Sequence, residues 1–260
     1  MNIDQYYRNA AKINLNGSLA ALVPALAIVI GNVLIFKLGL FMLLAAPFVI
    51  YSLLLFQLYL KRLKQSIAIH RRLLTTKKRE TSLEEAEHFL VFFQNTQRQQ
   101  LFLFFSDGSL AATIEEERSR KSGLFSAVHM YTLLNAKNEK ICFYKISKNN
   151  LVIDVYNEKE EYLGSFEKKI AGNLLTKKVI DSTGRVVGAV EGSQIFMDEH
   201  LLDKRDDSIG RLRRGWMPLE WADLFPDPNT PVFTLSSHLS TNERWLRFAL
   251  LVNEYFLQRF

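Results

Sequence analysis

Two uncharged runs near the N-terminus limit this chain more than any other feature. No Asp, Glu, Lys, Arg or His occurs between Lys12 and Lys37, nor between Lys37 and Lys61, which leaves apolar stretches of 24 and 23 residues. A helix rises about 1.5 Å per residue, so roughly 20 residues cross a hydrocarbon core of about 30 Å. Each run is long enough to span. The first span reads from Ser18 to Phe36 and the second from Gly39 to Leu60, with only Lys37 and Leu38 between them, so the helices must be antiparallel neighbours. Pro24, Gly31 and Pro47 fall inside the spans, where such residues are common in lipid. A cleaved signal peptide is the competing reading, given Arg8, Lys12 and the small pair Ala45 and Ala46. Its apolar region would run far past the usual length of about 7–15 residues.

The formal charge is +6, and its location decides what it means. Residues 61–80 carry Lys61, Arg62, Lys64, Arg71, Arg72, Lys77, Lys78 and Arg79 against Glu80 alone, and residues 81–260 are mildly acidic. A basic belt beside the second span, and a connection holding only Lys37, place both termini on the cytoplasmic side of a cell membrane. The charge belongs to a membrane flank and does not call for nucleic acid. Cys142 is the only cysteine, which excludes an intramolecular disulfide and zinc sites built on cysteine pairs.

The expected organisation is a cytoplasmic segment 1–17, a two-helix hairpin 18–60, a basic helical segment 61–100 and a β-rich domain 101–260. Leu63, Ile67, His70 and Leu74 recur at helical spacing among cations. This stretch either lies on anionic headgroups or serves as a plain topology signal. Ser82 with Glu85 has capping-box spacing, and Leu83, Ala86, Leu90 and Phe93 then predict a helix to Gln97. From Leu101 the pattern becomes short β-rich runs. Leu101–Phe105 and Leu110–Glu116 flank Asp107-Gly108, a strong hairpin signal. Further strands are predicted at 130–134, 141–146, 151–156, 162–168, 174–180, 185–190, 194–197, 211–216 and 232–235, a spacing typical of a barrel or sandwich. A weak repeat, Phe105-Ser106-Asp107-Gly108, Tyr156-Asn157-Glu158-Lys159 and Ile180-Asp181-Ser182-Thr183-Gly184, brings a strand end into a polar turn each time.

The last segment is different. From Trp245 to Phe260 the apolar residues cover most of a helical circumference and leave Arg247, Glu254 and Gln258 on a narrow stripe. A helix so apolar is buried, and Arg247, Asn253 and Glu254 interrupt it too often for a third span. The turn and strand Ile180–Gly188, the strand Tyr162-Leu163-Gly164-Ser165-Phe166 and the closing Ala249-Leu250-Leu251-Val252-Asn253-Glu254-Tyr255-Phe256 resemble the superfamily of tubby, phospholipid scramblase and LURP-one-related proteins. The resemblance implies an α+β domain in which an antiparallel β-barrel of about twelve strands closes around a buried C-terminal helix, here 245–258. It also implies phosphoinositide or calcium binding as family activities. The stretch Ser236–Glu243 lacks the run of Asp residues that scramblases place ahead of this helix.

No catalytic constellation stands out. His70, His88, His129, His200 and His238 are scattered, and there is no His-Glu-x-x-His, Gly-x-Ser-x-Gly or Gly-rich phosphate loop. Asp198, Glu199, His200, Asp203, Asp206 and Asp207, interrupted by Lys204 and Arg205, read as a solvated, internally paired loop, and their spacing is not that of a calcium loop. No metal or cofactor is expected. Candidate lipid-headgroup residues are Lys168, Lys169, Lys177, Lys178, Arg211, Arg213 and Arg214. Alternation places Arg211 and Arg213 on one strand face, with Leu212 and Arg214 on the other. Trp216, Pro218, Trp221, Phe225, Pro226, Pro228 and Pro231 form a loop that either covers the barrel or binds a partner. The expected partners are the bilayer, through residues 18–60, and an anionic lipid or a protein at the barrel. These readings combine into a membrane-anchored, non-enzymatic interaction or lipid-sensing module. The alternative is a lipid-handling protein of scramblase type, with Asn16, Asn32, Ser52 and Gln57 lining a polar path in an oligomer.

Overall fold

The computed structural model describes residues 1–75, 82–95, 99–117, 129–147, 151–171, 174–193 and 197–257. Of the residues singled out above, Lys77, Lys78, Arg79, Glu80, Gln97, Gln194, Ile195, Phe196, Gln258 and Phe260 lie outside this set. The chain divides into two compact units, Met1–Lys77 and Lys78–Phe260.

The first unit is a helical hairpin. Helix α1 (Ile3–Gly31) continues through a π turn to Phe36. Lys37 takes a left-handed conformation (φ 52°), and a 3₁₀ stretch (Gly39–Ala45) leads into α2 (Ala46–Leu73). The turn falls at Lys37 and Leu38, as the sequence predicts. The Asn32 carboxamide accepts from the Leu38 amide at 3.0 Å and so closes the bend. The helices pair antiparallel in one register. The Ser18 hydroxyl donates to the Ser52 carbonyl at 3.0 Å, the Ser66 hydroxyl donates to the Asp4 carbonyl at 2.9 Å, and Arg62 lies 5.3 Å from the Tyr7 ring centre. Small residues make the close approach possible, since a Cβ on Gly17 would sit 3.0 Å from Leu55. Leu19, Val23, Leu26 and Ile30 are each more than half exposed. In water such a face would be a liability, whereas in lipid it is the solvated surface. Both helices are long and apolar enough to cross a membrane. The described part of the basic stretch, Lys61 to Arg72, is the continuation of α2.

The second unit is a closed barrel of twelve antiparallel strands. They are β1 (His88–Asn95), β2 (Gln99–Phe104), β3 (Leu110–Glu117), β4 (Met130–Asn135), β5 (Lys140–Ile146), β6 (Val152–Asn157), β7 (Tyr162–Ala171), β8 (Leu174–Asp181), β9 (Val186–Ser193), β10 (Asp198–Asp203), β11 (Ser208–Arg213) and β12 (Val232–Leu235). Each strand pairs with its sequence neighbours, and β12 returns to β1. Closure leaves no free sheet edge to aggregate.

Five of the hairpins share one turn. Phe105, Asn135, Asn157, Asp181 and Asp203 each donate their backbone amide to the carbonyl four residues on and accept from the amide three residues on. In the last four, the Asn or Asp side chain also accepts from amides two and four residues ahead. The fourth position has positive φ in every copy: Gly108, Asn138, Glu160, Gly184 and Asp206. This is a type I turn closed by a bulge with one left-handed residue, and the three-copy sequence repeat is part of a fivefold structural one. Glu160 is the least suited to that conformation, which costs a side-chain-bearing residue roughly 1–2 kcal/mol. Glu160→Gly is therefore expected to raise stability by about 0.5 kcal/mol after the entropy cost of glycine, with Asn138→Gly near neutral. Urea unfolding of the two variants measures the difference.

Helix α3 (Thr241–Val252), extended by a π turn to Leu257, fills the barrel. Ser240 and Glu243 form its capping box, and every residue from Arg244 to Phe256 is buried. Phe248 packs in T-shaped contacts against Phe89, Phe233 and Trp245, with ring centres 5.4–5.5 Å apart. The wall makes room for the helix at Gly164, whose φ is +142°. A Cβ there would lie 2.1 Å from the Ile180 carbonyl oxygen and 3.0 Å from Leu246.

Two expectations need correction. The helix predicted from Ser82 to Gln97 is one capped turn followed by β1. The Ser82 hydroxyl and carbonyl accept from Glu85 and Ala86, and then Phe89 and Val91 turn inward onto the core. The run is apolar on both strand faces, which hides the two-residue period. The acidic stretch from Asp198 to Asp207 is β10 and its hairpin turn rather than a solvated loop, because Glu199 and Leu201 share an inward face. The last helix is buried as expected, and its polar stripe is enclosed with it, Arg247 and Glu254 being 2% and 6% exposed.

Candidate functional site

Alternation along β7, β8 and β10 carries three charged side chains into the barrel. On β8, Lys177 and Val179 are buried while Lys178 is exposed. Lys168 on β7 pairs directly across from Lys177 and is half-buried. Glu199 enters from β10, and the π turn that extends α3 presents Glu254. The Lys177 ammonium binds both carboxylates, reaching Glu254 Oε1 at 2.8 Å and also pairing with Glu199 Oε1. The Asn253 amide donates to Glu254 Oε1 at 2.6 Å. The side chains of Lys177, Glu199 and Glu254 are only 2–4% exposed. Two carboxylates face one ammonium, so burial first and Glu254 second push the Glu199 carboxyl up to about 7. Burial likewise lowers the Lys168 ammonium, opposed by the nearby Glu254. The cluster can hold or release one proton near neutral pH. Its bonds run from the wall to the enclosed helix.

Near the start of α3, Arg244 and Arg247 are also buried. They bond to carbonyls: Arg244 to those of Ser236 and Ala86, and Arg247 to those of Glu243 and Val187. Burial lowers the pKa of both guanidinium groups. The Tyr144 hydroxyl donates to the Trp245 carbonyl at 3.2 Å, and the buried Cys142 thiol, pushed up to about 12, is unreactive at physiological pH.

The seven candidate headgroup residues separate into distinct environments. Lys177 is interior and tied to two carboxylates, which takes it out of any surface contact. Lys168 is half-buried beside it. Lys169, Lys178 and Arg214 are exposed. Arg211 makes a bidentate pair with Asp198 at 2.7 and 2.8 Å, holding that carboxyl below its ordinary range. Arg213 lies 3.8 Å from the same carboxylate and 3.7 Å from the ring centre of Trp216. Arg211 and Arg213 share the outer face, and Leu212 points into the core.

The aromatic and proline-rich loop after β11 has two parts. Phe225 is fully buried and stacks on Phe92 at 5.9 Å, and Trp221 meets His88 at 5.6 Å, so this part covers the outside of β1. Trp216 and Leu219 are 69% and 91% exposed. A separate groove of about 650 Å³ opens beside the shared turns, with Leu83, Phe105, Leu110, Ile141 and Trp245 among its walls. Among the described residues no group of three or more His, Cys, Asp or Glu side chains is placed to hold a metal ion.

Sequence reasoning missed Lys177, Glu199 and Glu254 as a unit. A signal for two of them was present: Lys177 stands between Leu175 and Val179, and Glu199 between Met197 and Leu201, each a lone charge on an otherwise apolar strand face.

The strand pairing and the enclosed helix define a class, the closed up-and-down barrel around a C-terminal helix. This is the architecture implied by the resemblance to tubby, scramblase and LURP-one-related proteins. No protein-family model and no curated protein matches the chain. An X-ray structure of a protein from Arabidopsis thaliana aligns with 64% of this chain and 87% of its own, at 12% identity and a TM-score of 0.40.

Proposed function

We propose that the chain is a membrane-anchored protein whose barrel acts as a non-enzymatic interaction or lipid-sensing module on the cytoplasmic side of the cell membrane. The observation that carries this reading is the filled interior. Phe248, Ala249, Leu250, Leu251 and Val252 are 0% exposed, so the barrel encloses its own helix where others hold a ligand. The buried charges are engaged inside: Lys177 with Glu199 and Glu254, and Arg244 and Arg247 with backbone carbonyls. What remains for recognition is the outer surface and the loops, which carry Lys169, Lys178 and Arg214. The two apolar helices supply the anchor, and the cations on the extension of α2 support an orientation with both termini cytoplasmic.

The scramblase alternative gains little from the hairpin. Ser52 is bonded to Ser18 across the helix pair, and Asn32 closes the bend, so neither is directed outward to line a polar path.

Co-sedimentation of residues 78–260 with liposomes tests the lipid version. The core of this unit comes entirely from its own residues. Binding is expected with anionic vesicles and not with zwitterionic ones, and it should weaken with salt and in a Lys169→Ala, Lys178→Ala, Arg214→Ala variant. Equal pelleting with both vesicle types, or none with either, would remove lipid sensing and leave a protein partner.

A further inference from the structure

The loop after β11 begins with a feature that covering the barrel does not require. Gly215, with φ +80°, turns the chain out of the strand. The next residues are Trp216, Met217, Pro218 and Leu219, with Trp216 and Leu219 standing 69% and 91% exposed. The loop is held from behind by Phe225 and Leu224, both buried, so the tip is presented by a packed base. Arg213 stacks on Trp216, and Arg214 is exposed beside it. Asp198, the carboxylate nearest Arg213, is already engaged bidentately by Arg211. Between Arg214 and Leu219 there is no acid; Glu220 follows directly, in the 3₁₀ turn Leu219–Trp221.

We infer that the Trp216–Leu219 tip, with Arg213 and Arg214 at its base, inserts into the interfacial layer of an anionic bilayer and is the barrel's own membrane contact. The chemistry fits that layer. Tryptophan favours the headgroup level, a bare leucine gains from leaving water, and each cation near an anionic surface contributes about 1 kcal/mol. The size of the patch argues against a protein partner. Two protruding side chains expose on the order of 300 Å², whereas a stable protein interface needs about 800 Å² on each side. A contact this small would be weak for a free barrel. On a chain whose hairpin already sits in the bilayer it is intramolecular in effect, and the high local concentration makes a weak contact sufficient.

This inference rests on the membrane-anchored reading, and one experiment separates the two. The full chain is reconstituted into nanodiscs of phosphatidylcholine and phosphatidylserine with either ordinary or brominated acyl chains. Tryptophan emission is then compared between the wild type and Trp216→Phe. The emission due to Trp216 is expected to fall by roughly half in brominated lipid, while that of Trp221 and Trp245 stays unchanged. Omitting phosphatidylserine, or substituting Arg213→Gln and Arg214→Gln together, should restore most of it. If the chain enters the discs but the Trp216 emission is the same in both lipids, the tip faces water or protein and the inference is wrong. If the chain does not enter the discs at all, the anchoring fails and the inference falls with it.

Discussion

Replacing Lys177 with methionine is expected to destabilise the barrel by about 3–5 kcal/mol, the cost of stranding buried charge by removing its partner. The substitution keeps an unbranched side chain one atom shorter and removes the ammonium. Glu199 and Glu254 then lie in the interior with side chains 2–3% exposed and no cation between them. Glu199→Gln should behave in the opposite way. It retains an acceptor for the Lys177 ammonium and reduces the cluster to one carboxylate and one cation, so below about pH 4.5, where Glu199 is itself protonated, it should stay within about 1 kcal/mol of the wild type. The pH dependence identifies the cause. The Glu199 carboxyl sits at about 7 in the barrel against an ordinary 4.5. Between those values the folded state binds more protons than the unfolded one. Stability from this group is therefore full below about pH 4.5, falls as pH rises through the window, and levels off above about pH 7, a change on the order of 1–3 kcal/mol. Glu199→Gln should lack that fall and gain on the wild type by this amount as pH rises. Urea unfolding of residues 78–260 across this range decides the matter. A difference between wild type and Glu199→Gln that stays flat with pH would mean that Glu199 holds no proton near neutrality.

The same cluster shows where reading the sequence stops. The hairpin is legible because its signal is one-dimensional: an uncharged run long enough to span is a property of consecutive residues, and the bend at Lys37 follows from the only charge between the runs. The shared turns are also local, since an Asn or Asp that accepts from amides two and four residues ahead needs no distant partner. Strand β1 was misread because its apolar residues fall on both faces, and a run such as His88-Phe89-Leu90-Val91-Phe92-Phe93 satisfies helical and extended spacings alike. Its true state is set by pairing with β2 and β12, information absent from the segment itself. Lys177 and Glu199 are 22 residues apart, and Lys177 and Glu254 are 77 apart. Only closure of the barrel around α3 brings them together. Before closure is known, Lys177-Lys178 reads as a surface pair and Asp198-Glu199-His200 as a polar loop. The exposed tip at Trp216 was half legible: composition marked the loop as unusual, but which aromatics cover the wall and which face outward depends on where Phe92 and His88 lie.

Phe248→Ala is expected to cost about 3–5 kcal/mol, the upper range for a buried aromatic, because the barrel wall cannot close the gap. In a helical bundle a lost side chain can be partly filled when a neighbour shifts. Here the surroundings are a sheet closed on itself, every strand of which is fixed on both sides by its ladder. Phe89 and Phe233, which face the missing ring from β1 and β12, could follow it inward only by breaking the β1–β12 pairing that closes the barrel. The cavity therefore persists, and its dispersion contacts are lost outright. Leu257→Ala provides the contrast. That side chain lies at the far end of the π turn and is only partly buried, so its loss should cost about 1 kcal/mol or less. Chemical unfolding of residues 78–260 should rank the variants in that order. If Phe248→Ala unfolds at the same denaturant concentration as Leu257→Ala, the wall holds itself closed without the helix. The interior would then be free to admit a ligand, and the reading that confines recognition to the outer surface would have to be abandoned.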